Sequence, residues 1–331
     1  MRLLLICLSL ALAACAAPAP VTPGASPTAV AGSPTADPST SCTGQPPTGQ
    51  ALVHPGWPPE ETFELVPILA SSELAVGQNR VLLSLLDDEN NQLASPERPV
   101  EMRFYNLAAD PAQPAVTAQA EYMPTTEALP GLYRAAGVEF ECWGEWGLEA
   151  LTAEPDGSQR VGRMVFPVRP TSSTPAIGAP APASQTPTAA TPQEIAAIST
   201  DTQPDPDLYT TSVDSALAEG RPFLLIFSTP AFCATRTCGP ALDIVKAAAA
   251  DYGEEVAFIH VEPYELRLVE GSPQLALDER NQPVVVESVR EWGLPSEPYI
   301  FVVDAEGRVA AKMEGVAAED EIRDALEAVG D

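Results

Sequence analysis

The chain has 331 residues, enough for two domains of ordinary size, and its 45% hydrophobic content is enough to bury real cores. With 46 acidic residues against 17 Lys and Arg, the net charge is −29, which excludes a surface built to hold nucleic acid or an anionic lipid face. The 36 prolines are clustered rather than spread. At the N-terminus, "MRLLLICLSLALAACAAPAP" carries one positive charge at Arg2 and then an apolar run from Leu3 to Ala14. That run is too short to cross a bilayer with ease. A charged start, an apolar middle and small residues at the end are the pattern of a secretory signal, expected over residues 1–14.

The four residues Leu12-Ala13-Ala14-Cys15 resemble the lipobox of bacterial lipoproteins. The resemblance implies cleavage before Cys15 and a diacylglycerol on its thiol. It places the chain in the bacterial cell envelope, on the outside of the cytoplasmic membrane, or on an outer membrane where the organism has one. Cys7 would leave with the signal. Of six cysteines, Cys42, Cys142, Cys233 and Cys238 then remain as thiols. An even number in an exported chain points to two disulfides. The simplest pairing joins Cys42 to Cys142, as a structural bridge, and Cys233 to Cys238; the two other connectivities stay open.

Residues 15–50 are, after the lipidated cysteine, a spacer of Pro, Ala, Ser, Thr and Gly. It has too little large apolar surface to offset its ordering entropy. A second such stretch, "RPTSSTPAIGAPAPASQTPTAATPQE", covers 169–194 and reads as a Pro-rich, disordered linker. Between them, residues 51–168 hold about seven short apolar runs bounded by turn signals and no long helical period, which suggests a β-sandwich. Val100, Met102 and Phe104 alternate with polar neighbours, as a half-buried strand requires. The phrase "LPGLYRAAGVEFECWGEWGLEALT" resembles the late strands of immunoglobulin-like modules of bacterial envelope proteins. Trp143 and Trp146 are expected to serve the core or its edge rather than a ligand.

Residues 195–331 follow another pattern. "TSVDSALAEG" reads as a helix closed by Gly220, and "RPFLLIFST" as a strand buried on both faces. "GPALDIVKAAAADYG" has helical spacing and "EVAFIHVEP" is a second buried strand. "VVVESVREWGL" is a short helix after irregular chain. "EPYIFVVDAEGRVAAKMEG" is a hairpin and "AAEDEIRDALEAVG" a terminal amphipathic helix. This order predicts an α/β layer with a mixed sheet.

Cys233 and Cys238 follow the first buried strand and precede the long helix, and "WGLPSEPYIFVVDAEGRV" leads into the hairpin. In these features residues 195–331 resemble a thioredoxin-like domain. The whole chain is therefore expected to be an all-β immunoglobulin-like sandwich followed by an α/β thioredoxin-like domain. The resemblance implies that Pro298 is a cis-proline, with Glu297 before it, in a loop that packs against the cysteines and pairs with substrate backbone. It makes Cys233 the attacking thiol and Cys238 the resolving one. The chain departs from the family in three ways: four residues separate the cysteines, Phe232 replaces a tryptophan, and "FLLIF" carries no buried acid.

Three readings follow. The first is an envelope-anchored thiol–disulfide oxidoreductase acting on thiols or disulfides of exported proteins, or on an envelope redox partner. Thiol–disulfide exchange needs a thiolate and a second thiol but no cofactor. A helix N-terminus, and Arg236 if its guanidinium came near, would favour that thiolate. The second reading is a redox-inactive binding module with a structural Cys233–Cys238 disulfide. The third is a Cu(I) site of Cys233, Cys238 and His260, although His260 in "FIHVE" is also the place of a satisfied core histidine.

Overall fold

The computed structural model describes Cys42, Trp57 and residues 64–125, 131–153 and 157–330. The expected signal, Cys15 and the spacer other than Cys42 lie outside the described residues. Among the described residues from 64 to 168 the regular elements are strands alone. They are β1 (Val66–Leu69), β2 (Gly77–Leu86), β3 (Val100–Asn106), β4 (Val116–Met123), β5 (Leu132–Phe140), β6 (Gly144–Ala153) and β7 (Gln159–Val168). They pair in the order β1-β2-β5-β4-β3-β6-β7, all antiparallel. β4 divides its pairing, Val116–Ala120 with β3 and Glu121–Met123 with β5. The sheet curls until the chain entering β1 meets β7, where the Glu64 N–H donates to the Val161 carbonyl at 3.2 Å.

The curl is closed by aromatic packing. Phe140 lies edge-on to Phe104, Trp146 and Phe166, with ring centroids 5.5, 4.9 and 5.7 Å away. Such contacts add to the area these rings bury. Val100, Met102 and Phe104 all point into this core. Trp146 is buried, and its indole N–H donates to the Cys142 carbonyl at 3.1 Å. Cys142 is bonded to Cys42, with Cα atoms 5.4 Å apart, and the Cys42 N–H donates to the Trp143 carbonyl at 2.7 Å.

From 192 onward helices enter: α1 (Pro192–Ile198), α2 (Val213–Glu219), α3 (Cys238–Tyr252), α4 (Glu287–Glu291) and α5 (Glu319–Gly330). The strands are β8 (Phe223–Phe227), β9 (Ala257–Val261), β10 (Leu266–Val269), β11 (Ser272–Leu275), β12 (Tyr299–Val303) and β13 (Val309–Glu314). The main sheet runs β13-β12-β8-β9 and is mixed, with β8 and β9 parallel and the other pairs antiparallel. β8, β9 and β12 are buried along their whole length because helices cover both faces. Leu224 and Ile226 pack with Leu242 and Val245 of α3 and Leu326 of α5. Phe223, Leu225 and Phe227 pack with Val213 of α2 and with Trp292 just after α4.

Two segments differ from the sequence reading. The chain between β9 and α4, expected to be irregular, contains the β10–β11 hairpin, which turns at Glu270-Gly271 with positive φ at both residues. The stretch 169–190, expected to be a disordered linker, is an ordered strap. The Gly178 N–H donates to the Val309 carbonyl, the Val309 N–H to Ala179, and the Ala181 N–H to Gly307. Ser184 is buried, takes a bond from the Trp292 indole at 3.1 Å and bonds Glu291. Composition misleads here because backbone pairing, not apolar burial, holds the segment. Glycine at 293, with φ +62, lets the strap pass, since a side chain there would collide with the Ser173 carbonyl. The strap leads directly into α1, whose Thr191–Glu194 capping box starts the helix.

The Cys42–Cys142 bridge closes a loop with a sequence separation of 100. Replacing both cysteines by serine is expected to lower stability by about 2–5 kcal/mol, because the unfolded chain regains loop freedom. Urea unfolding of the double variant against the parent measures this.

Candidate functional site

The site is built where β8 ends. Register sets Phe227 beside Val261 of the parallel β9 and beside Tyr299 of the antiparallel β12. One residue further on each strand, Ser228, Glu262 and Pro298 therefore gather at one end of the sheet. The carboxyl ends of parallel strands are the usual place for chemistry in open α/β sheets.

After β8 the chain makes a tight turn. The Thr229 carbonyl accepts the N–H groups of Phe232 and Cys233, at 3.2 and 3.0 Å. Cys238 is the first residue of α3 and is fully buried, and the Ser228 hydroxyl donates to its carbonyl at 3.3 Å. Cys233 is only half-buried. The two are disulfide-bonded, with Cα atoms 6.0 Å apart. The Cys238 N–H, at the open end of the helix, points at Cys233 Sγ from 3.3 Å. The Thr235 hydroxyl is 3.2 Å from the same sulfur and 2.7 Å from the Thr237 hydroxyl.

The wide cysteine spacing has a local explanation. Ala234, Thr235 and Arg236 form an exposed bulge, closed by the Arg236 N–H on the Cys233 carbonyl at 3.3 Å, with Arg236 at φ +61. The additional residues go outward, Cys238 keeps the helix start, and Cys233 Sγ stays over it.

Glu297 and Pro298 are joined by a cis peptide. Pro298 is buried, while Glu297 is half-buried beside Tyr264. Burial raises the Glu297 pKa above its ordinary value, and the Tyr264 hydrogen bond opposes this.

The strand before the cysteines carries no acid, but its neighbour supplies one that sequence reasoning missed. Glu262 is 4% exposed and follows β9. Its Oε2 accepts the Thr200 N–H at 3.0 Å and the Thr200 hydroxyl at 2.8 Å. The Thr200 hydroxyl also accepts the Ala231 N–H at 3.2 Å, so Glu262 lies under the turn that carries Cys233. Its Oε1 and the Thr229 hydroxyl are buried side by side without completing a hydrogen bond. Burial pushes the Glu262 pKa up to about 7, despite the Thr200 hydrogen bonds and the neighbouring Thr229 hydroxyl, which favour the anion. The available signal was a charge closing the apolar run "AFIHVE" at the same sheet end as the cysteines.

His260 is a satisfied core residue. Its Nε2 donates to the Ser228 carbonyl at 2.9 Å, so Nδ1, 2.8 Å from the Tyr209 hydroxyl, is the acceptor. Burial drives its pKa down to about 4, so the ring is neutral. Both nitrogens are engaged, which removes His260 from the suggested Cu(I) set. No group of three or more His, Cys, Asp or Glu among the described residues could hold a metal ion. Beside the cysteine turn is an open groove of about 330 Å³ lined by Thr200, Asp201, Pro230, Ala231, Gly239 and Lys246. Lys246 is held there by Asp201 at 3.0 Å and Asp243 at 2.9 Å.

No protein-family model and no curated protein matches the chain. Among solved structures it is similar to the exposed lipoprotein thioredoxin of Streptococcus pneumoniae. That likeness has 22% identity and a TM-score of 0.26, over 34% of this chain and 89% of the other. It is also similar to the PmoD soluble domain of Methylocystis, at 16% identity and a TM-score of 0.17, over 31% of this chain and 88% of the other. At these scores neither likeness decides what the site does. No helix among the described residues is long and apolar enough to cross a membrane.

Glu262 makes a pH prediction. Its folded pKa of about 7 lies above the ordinary 4.5, so between these values the folded chain holds a proton that the unfolded chain has lost. The corresponding stability is fully present below about pH 4.5 and is lost as pH rises through about 7. The full effect is on the order of 3 kcal/mol. Glu262→Gln is expected to gain stability relative to the parent from pH 5 to 8. A pH-independent difference in urea unfolding would contradict the assignment.

Proposed function

We propose that the chain is an envelope-anchored thiol–disulfide oxidoreductase of the thioredoxin-like type, acting on exported proteins through Cys233 and Cys238. The observation that carries this reading is the asymmetry of the pair. One sulfur is half-exposed over a helix N-terminus, and the other is buried at that terminus. Exchange needs one sulfur that a client can attack and a second that is kept from it. A thiolate at Cys233 would be stabilised by the Cys238 N–H and the helix dipole. The succession β8, α3, β9, then the β12–β13 hairpin and α5, supports a thioredoxin-like domain over 195–331. We read 51–168 as an immunoglobulin-like sandwich on the strength of its curled antiparallel sheet.

From the oxidised pair, the chemistry runs in two displacements. A client thiolate attacks Cys233 Sγ, the Cys233–Cys238 bond breaks, and Cys238 leaves as a thiolate that takes up a proton. A second client thiolate then attacks the client sulfur of the mixed disulfide and Cys233 leaves. The client gains a disulfide, losing two electrons, and the pair is reduced. The reverse sequence reduces a client disulfide. Glu262, whose carboxyl lies under the cysteine turn through Thr200 and Ala231, is the buried acid we assign to proton transfer with the cysteine pair. Glu297 and Pro298 fit the role of the loop that meets client backbone.

A redox titration with thiol trapping tests the reading. The pair is expected to equilibrate with glutathione or dithiothreitol, and Cys238→Ser to trap clients as mixed disulfides on Cys233. A pair that stays oxidised in strong reductant, with no trapped client, would instead make it a structural staple in a binding module.

We place the protein at the membrane through a lipid on Cys15, on the strength of the Leu-Ala-Ala-Cys sequence. Cys15→Ser is expected to move it from the membrane to the soluble fraction. Unchanged fractionation would remove the anchor from the proposal.

A further inference from the structure

The loop opposite the cysteines is held from outside its own sheet. Arg80, on β2 of the strand-only module, is 12% exposed and reaches the turn between β13 and α5. Its Nη1 donates to the Glu314 carbonyl and its Nη2 to the Val316 carbonyl, each at 2.8 Å. Its Nε and Nη2 also grip the Glu321 carboxylate, at 2.7 and 2.8 Å. Arg134 Nη1, on β5, stands 2.9 Å from the same carboxylate. Burial by itself would raise the Glu321 pKa. The two guanidiniums, with the Ala318 N–H, outweigh it and hold the carboxyl below its ordinary value. Under these groups Leu82 and Met123 pack on Val316.

The gripped turn is one bond from the cis-proline. The Gly315 N–H, between the two carbonyls Arg80 holds, donates to the Pro298 carbonyl at 2.9 Å. Gly315 has φ +72, a backbone that glycine adopts without strain. A second tie runs through Glu314. Its carboxylate accepts the Ser72 N–H, at 3.1 and 3.0 Å, and the Ser296 hydroxyl at 2.6 Å. The Ser72 and Ser296 hydroxyls are themselves 3.3 Å apart. Both ends of the short segment Ser296–Pro298 are thus attached to groups that the strand-only module fixes.

We propose that Arg80 is a positioning residue for the client-facing loop, and that the strand-only module acts as a clamp setting the distance between Pro298 and the cysteine turn. This rests on the thiol–disulfide reading above. The guanidinium fork suits the task because it satisfies two carbonyls and a carboxylate at once, which a lysine cannot do. Losing it frees the 314–316 turn and, through Gly315, the loop that pairs with client backbone. The cysteine pair itself has no contact with Arg80, so its chemistry with a small dithiol is unaffected.

The test compares Arg80→Ala with Arg103→Ala in the full chain. Arg103 pairs with Glu101 and Glu149 in the same module, away from this turn, and controls for general loosening. Arg80→Ala is expected to raise KM for a synthetic two-cysteine peptide about tenfold, with kcat and the rate with dithiothreitol held within about twofold. Amide exchange at Gly315 should quicken about tenfold, while amides in β8 and β9 stay protected. Arg103→Ala should change none of these. The idea is overturned if KM and Gly315 exchange stay as in the parent, or if Arg103→Ala reproduces both changes. If the parent reacts with neither peptide nor dithiothreitol, the thiol reading fails. The clamp is then judged by Gly315 exchange, where faster exchange in Arg80→Ala supports it and unchanged exchange overturns it.

Discussion

The end of β8 at Phe227 is the constraint on which the site depends. Five consecutive apolar residues force this strand into the centre of the sheet, paired on both edges and covered on both faces. A central strand fixes the register of its neighbours, because a slip of one residue would exchange the side chains packed under α3 and α5 with those packed under α2 and Trp292. With that register set, the cysteine turn, the carboxyl after β9 and the cis peptide before β12 must come out together. None of the three is placed by its own local sequence. Each is placed by the strand it adjoins.

Within that frame the helix start governs the sulfurs. An α-helix opens with unpaired N–H groups and a partial positive charge. Cys238 occupies the first helical position, so one of those N–H groups is its own and reaches Cys233 Sγ. The spacing between the cysteines matters only as far as it disturbs this meeting. The bulge at Ala234–Arg236 keeps it intact by spending the additional residues on an exposed turn with one left-handed residue. Buried carboxyls nearby are costly as anions, which is why Glu262 and Glu297 both hold their protons to higher pH than usual.

Much of this was legible in the sequence because it rests on local pattern. The seven strands before residue 169 come from alternation and turn residues. β8, β9, α3 and α5 come from buried runs and helical spacing. Contributions made across the sheet or between modules were not legible. Glu262 looks like an ordinary strand-end charge until parallel pairing brings it beside Ser228. Arg80 reads as one more polar residue opening "RVLLSLL", since its partners lie 234 to 241 residues away. His260 invited a metal reading because a sequence cannot show that Tyr209 and the Ser228 carbonyl already use both ring nitrogens.

The Pro-rich strap is where composition and structure part most clearly. A segment rich in Pro, Ala, Ser and Thr has little apolar surface to bury, and by that measure it should be disordered. Yet proline also removes backbone donors, so such a segment has fewer polar groups to satisfy when it lies against a sheet. Residues 178–181 use this along the start of β13, an edge strand of the four-stranded sheet. They pair with Gly307 and Val309 through the N–H groups that remain, and set Pro180, which has no N–H, beside Arg308. An exposed edge is a template for pairing with another chain, and covering it with a proline-bearing strap removes that hazard. The same strap carries Ser172 and Thr174, which accept bonds from Lys312 at 3.0 and 2.9 Å, next to Ser173, whose N–H donates to Glu73 at 2.8 Å. It therefore joins the two sheets by a fixed path rather than a loose one. A clamp from one module onto a loop of the other depends on such a path, since a freely moving tether would leave the Arg80 fork and its few neighbouring contacts, Ser72 on Glu314 and Arg134 on Glu321, to hold the modules in place.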